Sequence, residues 1–589
     1  MDFFKRVLST ITGIVLFLGI SCVGLIIIGA LMGGNEEGIV EVKKNSVLEL
    51  NLDEPIMDYA GQFDYGKWNV YLNQDKKYNG LFDIIDAINN AAEDDNIKGI
   101  TLKNNITTAG MAQTKAIRDA LLNFKQSGKF VLAYGDIITQ KDYYLNSVAD
   151  SIYLNPVGAL EFKGLTTEIM YYKDFQEKYG VKMEVVRHGK YKSAVEGYLS
   201  QQMSEENREQ ISTFLESIWA EVKTEIADSR GVSEAELDTI ADNLLTRTPK
   251  MALSAKLIDG IVYEDEYEAL IKTKLGVEED NDYNSIDIDD YAKYTHFEMI
   301  KSKEKDKIAV IYAQGQIFYG EGNESIIGQG VINKALKKAR EDEKVKAIVL
   351  RVNSPGGSAL ASELIWREIE NTKKVKPVVV SMGNLAASGG YYIACNANKI
   401  IAEPNTITGS IGVYGTLPNM HELANNMGIN AEQVSTNKNG VTYSLFEPLS
   451  DEQRALVKEG IEDVYDTFLT RVADGRGLSK MEVDEVAQGR VWSGNDAIKI
   501  GLVDEIGGLD VAIERAAELA EIDKYTLKEL PVYKKDLTDM FNSFSLIQSK
   551  EDMIKEELGE ENYLLLEKMK KLTQVKGPQL LLPYDLEIK

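Results

Sequence analysis

Cysteine and histidine are scarce in this sequence, with two cysteines and three histidines among 589 residues. Cys22 lies in an apolar N-terminal stretch and Cys395 lies far away in the globular part, so we expect no intramolecular disulfide. No CxxC or other zinc-ligand spacing occurs, and no histidine stands in a motif typical of a catalytic triad or a metal site. We therefore expect neither a metal nor a cofactor.

Basic residues are also in deficit. The chain has 66 Lys and Arg against 93 Asp and Glu, which gives a formal net charge of −27. Such a chain repels phosphate backbones, so nucleic acid is not expected as a partner. Hydrophobic residues make up 44% and charged residues 27% of the sequence, which is typical of a globular protein rather than a disordered one.

Charge is absent altogether between Arg6 and Glu36. About 20 apolar residues span a bilayer, and this apolar run is longer than that. It also exceeds the apolar core of an ordinary signal peptide, and no convincing cleavage site follows, so a cleaved signal is the weaker alternative. The sequence predicts an uncleaved transmembrane anchor at 7–34, with the N-terminus in the cytoplasm because Lys5 and Arg6 precede the run.

The rest of the chain is a duplication. The segments DDNIKGITLKNN and KFVLAYGDIITQKDYYLNSVADSIYLNP (94–105, 129–156) resemble DEKVKAIVLRVN and KPVVVSMGNLAASGGYYIACNANKIIAEP (342–353, 376–404) in the same order. Each copy alternates short β-branched runs with helical segments, which predicts two α/β domains with mainly parallel strands. We place these domains at 44–276 and 306–535. An acidic, solvated linker is expected at 277–305 and a helical tail at 536–589.

Three small-residue segments of the second copy follow predicted strands. Ser388 in GNLAASGGYY stands between the strand PVVVSM and a predicted helix, where backbone amides at the helix start can stabilise an oxyanion. In RVNSPGGSA (351–359) the paired glycines let the backbone approach a substrate closely. TITGSIGVYG (406–415) adds a third such turn. Together they indicate a nucleophilic serine with an oxyanion site.

A serine hydroxyl needs a base beside it, and because histidine is scarce we consider lysine as that base. Alignment of the copies sets Ser388 against Gln140, so the first copy lacks the nucleophile. Lys192 follows Gln140 by 192 − 140 = 52 residues, and Gly440 follows Ser388 by 440 − 388 = 52 residues. Each copy thus holds one half of a possible Ser/Lys dyad. Nearby competitors for the base are Lys190 and Lys438, since gaps make the alignment uncertain there.

The motifs RVNSPGGSA, MGNLAASGGYYIA, TGSIGVYG, GKYKSAVE and GRVWSGNDAIKIGLVDEIGG resemble those of the signal peptide peptidase A family (SppA, protease IV) in its long two-copy form. The resemblance implies a tandem duplication of a Clp protease/crotonase-like domain after one N-terminal transmembrane helix. It implies a membrane-anchored serine endopeptidase, assembled as a homotetramer, that degrades cleaved signal peptides and other hydrophobic peptides. The expected location is the bacterial inner membrane, with the catalytic domains in the periplasm.

The resemblance also implies a role for each site residue. The nucleophile falls on Ser388, the general base on Lys192, and the serine that hydrogen-bonds the lysine on Ser410. The oxyanion donors fall on the amides of Gly357 and Gly389, although Gly356 is adjacent. Whether the serine and the lysine meet within one chain or between chains does not follow from the sequence.

Two functions of other classes stay open at this point. One is a crotonase-like enzyme acting on acyl-CoA, which would use a similar pair of amides but would need a carboxylate that the Ser388 region does not offer. The other is a non-catalytic membrane scaffold that binds peptides. A protease that has both Ser388 and Lys192 intact is the favoured interpretation.

Overall fold

The structure is a computed structural model, and it describes residues 41–64, 80–104, 106–300, 304–441, 443–534 and 579–581, with scattered positions between 10 and 20. Within this described part, no helix has the length and apolar character needed to cross a membrane. Most of the predicted anchor at 7–34, and all of the predicted tail at 536–589 except three residues, lie outside the described residues.

The first lobe, residues 41–300, is a parallel sheet covered by helices. Its strands are β1 (Ser46–Glu49), β2 (Gln62–Asp64), β3 (Ile97–Lys103), β4 (Phe130–Ile138), β5 (Ser151–Leu160), β6 (Lys182–His188), β7 (Gly260–Ile261) and β8 (Asn284–Asp287). Its helices are α1 (Leu81–Glu93), α2 (Met111–Lys125), α3 (Gln140–Asn146), α4 (Lys173–Tyr179), α5 (Glu196–Leu199), α6 (Glu205–Arg230), α7 (Glu234–Asp242), α8 (Pro249–Ser254), α9 (Glu264–Leu275) and α10 (Ile288–Ile300). The sheet order is β7-β5-β4-β3-β1-β8.

The second lobe, residues 304–534, has the same architecture. Its strands are β9 (Lys307–Gln314), β10 (Gln316–Phe318), β11 (Ile326–Gly328), β12 (Val345–Ser354), β13 (Gly356–Ser358), β14 (Val378–Ala387), β15 (Lys399–Ala402), β16 (Ile407–Gly409), β17 (Val413–Asn419), β18 (Val491–Ser493), β19 (Glu505–Ile506), β20 (Thr526–Leu530) and β21 (Val532–Lys534), and β22 (Gln579–Leu581) follows near the C-terminus. Its helices are α11 (Gln329–Glu341), α12 (Ala359–Lys373), α13 (Gly389–Ala394), α14 (His421–Asn426), α15 (Asp451–Arg476), α16 (Lys480–Val486), α17 (Gly494–Ala497) and α18 (Leu509–Leu519).

The central strands of both lobes are β-branched runs buried on both faces, as expected for a parallel sheet covered by helices. In the second lobe the sheet order is β18-β16-β14-β12-β9-β20, and β15 pairs with β14 and β19. The strands β1, β3 and β4 of the first lobe thus correspond to β9, β12 and β14. The predicted α/β class and the predicted duplication both agree with this repeated order.

The segment predicted as a solvated linker, 277–305, differs from that expectation. It contains β8, which pairs in parallel with β1 at the edge of the first sheet, and all of α10. Although the stretch is acidic, Ile288 and Tyr291 are buried against the first lobe. Sparse apolar residues on one side of an acidic helix are sufficient to dock it, and the overall acidity concealed this pattern.

A third sheet joins the two lobes. Its strand order is β11-β10-β13-β22-β17-β6, so β6 of the first lobe ends a sheet otherwise built from the second lobe and the C-terminal strand. The pairing of β6 with β17 is antiparallel and continuous from Lys182↔Asn419 to His188↔Val413. Because β6 leads directly into the segment that carries Lys192, this pairing brings first-lobe residues to the second lobe.

Helix α6 holds the same two lobes together from another side. The Gln210 side chain accepts a hydrogen bond from the Val491 amide at 3.3 Å, and the Ser217 and Ser493 hydroxyls lie 2.7 Å apart. The helix begins after Ser204, whose side chain accepts a hydrogen bond from the Asn207 amide as the N-cap. These contacts fix the 487–491 segment of the second lobe against the first lobe.

Candidate active site

Ser388 occupies a sharp turn between β14 and α13. Its backbone has φ 56° and ψ −114°, a conformation that non-glycine residues rarely adopt and that tends to occur at functional sites. Two hydrogen bonds hold the turn: the Ser388 amide donates to the Gly409 carbonyl at 2.8 Å, and the Tyr392 amide donates to the Ser388 carbonyl at 2.8 Å. The hydroxyl is therefore presented from a rigid backbone at the start of a helix.

Lys192 lies beside this hydroxyl in the same chain. Its Nζ is 2.8 Å from Ser388 Oγ, 3.0 Å from Ser410 Oγ and 3.0 Å from the Ser410 carbonyl oxygen. The lysine follows β6, and the pairing of β6 with β17 carries it across the boundary between the lobes. The structure thus brings together, within one chain, two residues that are 196 positions apart.

Lys192 is fully buried, with 0% of its surface exposed. Burial disfavours the charged ammonium and holds the pKa of the Lys192 amine well below its ordinary value. A neutral amine has two N–H groups and one lone pair. The two N–H groups can be donated to the two Ser410 oxygens, and the lone pair is then left to accept the Ser388 hydroxyl proton.

Ser410 fixes the lysine by its own unusual backbone, with φ 50°. Its amide donates to the Arg490 carbonyl at 2.6 Å, and its hydroxyl donates to the Gly489 carbonyl at 3.3 Å. Because the hydroxyl proton is used in this way, its oxygen is left to accept from Lys192 Nζ. The geometry suits a residue that orients the amine.

The 487–491 segment forms a further wall of the site that the sequence interpretation did not single out. Gly489 has φ 81°, and a Cβ built on it would lie 2.6 Å from Lys192 Cβ, so only glycine fits against the lysine stem. The Gln488 carbonyl also accepts from the Tyr191 amide at 2.9 Å. The motif GRVWSG, which includes Gly489, was the available signal for this role.

Two glycine amides lie near each other beside Ser388. A Cβ built on Gly389 would be 3.0 Å from the Gly357 amide nitrogen, and one built on Gly356 would be 2.7 Å from the Gly389 amide nitrogen. The Gly356 amide already donates to Ser354 Oγ at 3.1 Å, and Gly389 is the first residue of α13, directly after Ser388. The pair Gly357 and Gly389 is therefore the better candidate for the oxyanion donors.

The first-lobe position that aligns with Ser388 holds a glutamine in place of the serine. Gln140, which aligns with Ser388, accepts hydrogen bonds from the Lys163 and Gly164 amides, both at 2.8 Å, and donates to the Gly164 carbonyl at 3.0 Å. Both polar atoms of the Gln140 side chain thus bond to the backbone, and this lobe keeps the α/β fold without a serine at this position.

The competing bases lie elsewhere. Lys190 is exposed, with its Nζ 4.8 Å from the centre of the Tyr191 ring. Lys438 is exposed and pairs with Glu452. The ring of His188 stacks on Tyr465 at 4.0 Å between centroids. Among the described residues no group of three or more His, Cys, Asp and Glu side chains could hold a metal ion.

The chain matches Peptidase family S49 twice, over residues 123–278 and 370–523. It is 37% identical over 526 residues to Protease 4 of Haemophilus influenzae, covering 86% of this chain and 84% of that protein. It is also 39% identical to Protease 4 of Salmonella typhi over 76% of this chain and 73% of that protein.

The chain is also similar to a plant protein. The chloroplastic serine protease SPPA of Arabidopsis thaliana is 34% identical, over 85% of this chain and 73% of that protein. A ClpP1 mutant from Listeria monocytogenes covers 34% of this chain at a TM-score of 0.23 and 18% identity, a likeness too weak to bear on the fold. The Clp/crotonase-like classification therefore stays a prediction. With two matched segments and relatives of this similarity over most of its length, the chain belongs to peptidase family S49, in the two-copy SppA form, and is a serine protease.

Proposed function

We propose that the chain is an endopeptidase in which the uncharged amine of Lys192 activates Ser388. The observation that carries this proposal is the 2.8 Å separation of Lys192 Nζ and Ser388 Oγ in a site where the lysine is fully buried. Burial supplies the neutral base, and Ser410 directs its lone pair toward the serine. The arrangement fits a general base paired with a nucleophile.

In the acylation half of the reaction, Lys192 takes the Ser388 proton while Ser388 Oγ attacks the scissile carbonyl. The negative charge that develops on the carbonyl oxygen is stabilised by the amides of Gly357 and Gly389. The resulting lysinium gives its proton to the leaving amine, and the acyl chain stays on Ser388. Ser410 stabilises the transient charge on Lys192, because both of its oxygens accept from the amine.

In the deacylation half, water enters after the amine product leaves. The amine of Lys192, neutral again, removes a proton from this water, which attacks the ester carbonyl in the same oxyanion site. Ser388 regains its proton from Lys192 as the peptide acid departs. The cycle needs no group beyond the residues named here.

The proposed substrates are cleaved signal peptides and other hydrophobic peptides. We propose further that residues 7–34 anchor the chain in the bacterial inner membrane, that the two lobes lie in the periplasm, and that four chains assemble into a homotetramer. The support for these points is the uncharged N-terminal run and the family resemblance. An anchored enzyme would be placed where signal peptides are released.

The dyad is tested with a fluorogenic leucine-rich peptide and the full chain. We expect Ser388→Ala and Lys192→Ala each to lose activity to near background, whereas Lys190→Ala, an exposed lysine two residues away, keeps it. Full activity in Lys192→Ala would reject the lysine base. Full activity in Ser388→Ala would reject the nucleophile.

The substrate class is tested separately, by mass-spectrometric detection of fragments from a synthetic signal peptide and from a polar peptide of the same length. Preferential cleavage within the apolar core of the signal peptide is expected. Equal cleavage of both would remove hydrophobic peptides as the preferred class while leaving the dyad mechanism intact.

A further inference from the structure

Gln210 of α6 bonds to both chain segments that hold Lys192, and its side chain is buried, at 1% exposed. Its Nε2 donates to the Tyr191 carbonyl at 3.0 Å and to Ser193 Oγ at 2.7 Å, on the two residues that flank Lys192. Its Oε1 accepts from the Val491 amide at 3.3 Å, in the second-lobe segment that lies against the lysine. One buried amide thus joins the turn that carries the base to the wall on its other side.

The contact with Val491 reaches the amine through Ser410. The two residues before Val491 provide the carbonyls that accept from the Ser410 hydroxyl and the Ser410 amide. Both oxygens of Ser410 in turn accept from Lys192 Nζ. The backbone just before Val491 therefore sets the place of the oxygens that orient the amine, and Gln210 fixes this backbone against the turn that carries the lysine.

The partners of Gln210 require a carboxamide side chain. The Tyr191 carbonyl can only accept a hydrogen bond and the Val491 amide can only donate one, so the side chain between them needs a donor and an acceptor. Asn207, whose Nδ2 donates to Glu196 at 2.7 Å, turns its Oδ1 toward Gln210 Nε2 at 3.1 Å. This further acceptor fixes which end of the Gln210 amide carries the N–H groups. A leucine at this place would leave buried backbone groups without a partner.

The copy that lacks the lysine has a leucine at the equivalent place. The long helices α6 and α15 each have 26 residues and begin after a serine N-cap, Ser204 and Ser450. Gln210 is 210 − 204 = 6 residues after the first cap, and Leu456 is 456 − 450 = 6 residues after the second. Leu456 is 50% exposed and bridges nothing of this kind. The fold of the lobe therefore does not need the amide, which occurs in the copy that carries the base.

We propose that Gln210 is a positioning residue of the Ser388/Lys192 dyad, which holds the lysine turn and the 489–491 segment together so that the amine stays enclosed and directed at the serine. This proposal rests on the proposed function, because it assigns a role within that dyad. Gln210 contacts neither reacting group and acts through the backbone on both sides of Lys192.

Loss of the amide should change the protonation of the base. Burial is the cause of the depressed pKa of Lys192. When the two segments are no longer joined, water reaches the amine and the pKa of Lys192 rises toward its ordinary value. Arg187, which donates to the Lys192 carbonyl at 3.1 Å, and the Glu209–Arg490 ion pair stay in place, so no charge is added or removed.

The first test records kcat/KM for the fluorogenic peptide against pH in the wild type, Gln210→Met and Gln176→Met. Gln176 is the matched control, because it is also a buried first-lobe glutamine and bonds the Tyr198 carbonyl and the Met183 amide at the far end of β6. We expect Gln210→Met to move the midpoint of the alkaline rise about one unit higher, which lowers kcat/KM about tenfold below that midpoint. Gln176→Met should leave the midpoint in place.

A loss of stability alone lowers activity by the same factor at every pH and leaves the midpoint unchanged. A wild-type midpoint in folded Gln210→Met therefore overturns the proposal. Gln210→Asn covers the case in which the methionine variant does not fold, because it keeps the amide but is one methylene too short to reach both segments. It should shift the midpoint in the same direction by a smaller amount, and a wild-type profile in Gln210→Asn also overturns the proposal.

The second test reads the activation of the serine without a peptide. Phenylmethanesulfonyl fluoride is added and modification of Ser388 is followed by mass spectrometry; the Ser388 oxygen bonds to sulfur, fluoride leaves, and the hydroxyl proton passes to Lys192. The rate in Gln210→Met should show the same shift to higher pH. If the wild type and Lys192→Ala react alike at every pH, the proposed function fails. If those two differ but Gln210→Met follows the wild type, only the positioning role of Gln210 fails.

Discussion

Replacing Lys192 by methionine separates the chemistry of the amine from its contribution to stability. Methionine has a similar length and no charge, and it fills the fully buried space without a polar group. Loss of the general base should lower kcat by about 10²–10⁴-fold. Stability should not fall with it, because the wild-type chain must deprotonate and desolvate this lysine in order to bury it.

The pH dependence of that stability difference follows from proton linkage. Below about pH 10.4 the lysine of the unfolded chain carries a proton, whereas the buried amine of the folded chain does not, because its pKa is depressed. The unfolded state therefore binds one more proton, and wild-type stability from this group rises with pH by about 1.4 kcal/mol per unit. The rise extends from the depressed folded pKa to the ordinary value. Below the folded pKa both states are protonated and the slope ends.

The assay is urea unfolding followed by tryptophan fluorescence at pH 8 and pH 10, with wild type, Lys192→Met and Lys190→Met compared. We expect the advantage of Lys192→Met over wild type to shrink between the two pH values, by up to about 1.4 kcal/mol for each pH unit that lies above the depressed pKa of the folded amine. Lys190→Met, which removes an exposed lysine, should run parallel to wild type. If the Lys192→Met curve is also parallel, the folded amine keeps its proton and the general-base argument is refuted.

Three further substitutions test the surroundings of the amine and the contact between the lobes. Ser410→Ala removes one hydrogen-bond acceptor from Lys192, so kcat should fall about 10–100-fold. The rise of kcat/KM with pH should also move to lower pH, because the lysinium is less well stabilised. An unchanged pH profile would contradict an orienting role for Ser410. Gly489→Ala places a Cβ 2.6 Å from the Lys192 Cβ at a φ of 81°, so both the thermal midpoint and kcat should drop. Wild-type values for both would show that the 487–491 segment can move aside. Arg351→Met removes the cation that lies 3.0 Å from the buried Asp58 carboxylate, so the free energy of urea unfolding should fall by about 3–5 kcal/mol. Adding Asp58→Asn should recover part of this loss. A loss below about 1 kcal/mol, which is typical of an exposed ion pair, would argue against a buried ion pair between the lobes.

The sequence by itself determined the elements that depend on neighbours along the chain. Alternating β-branched runs and helical segments gave the repeated α/β order, and the strand-to-helix turn around Ser388 marked a presented hydroxyl. Comparison of the two copies also pointed to Lys192, because each copy lacks what the other holds. These features depend on local periodicity and on residue types that can be read without distances.

Other features depended on tertiary contacts. The acidic composition of residues 277–305 concealed the few apolar side chains that dock α10 on the first lobe. A strand of three residues such as β22 is too short for its residue pattern to be recognised from the sequence. The choice of Gly357 over Gly356 needed the Ser354 contact of the Gly356 amide.

Only the tertiary structure decided that the serine and the lysine meet within one chain. That meeting depends on the pairing of β6 with β17 across the boundary between the lobes, and strand pairing over such a separation is not encoded in either strand alone. The depressed pKa of Lys192 has the same origin, since burial is set by every segment packed around the amine, including the 487–491 segment. The sequence supplied the reacting groups, and long-range packing supplied their distance and their protonation state.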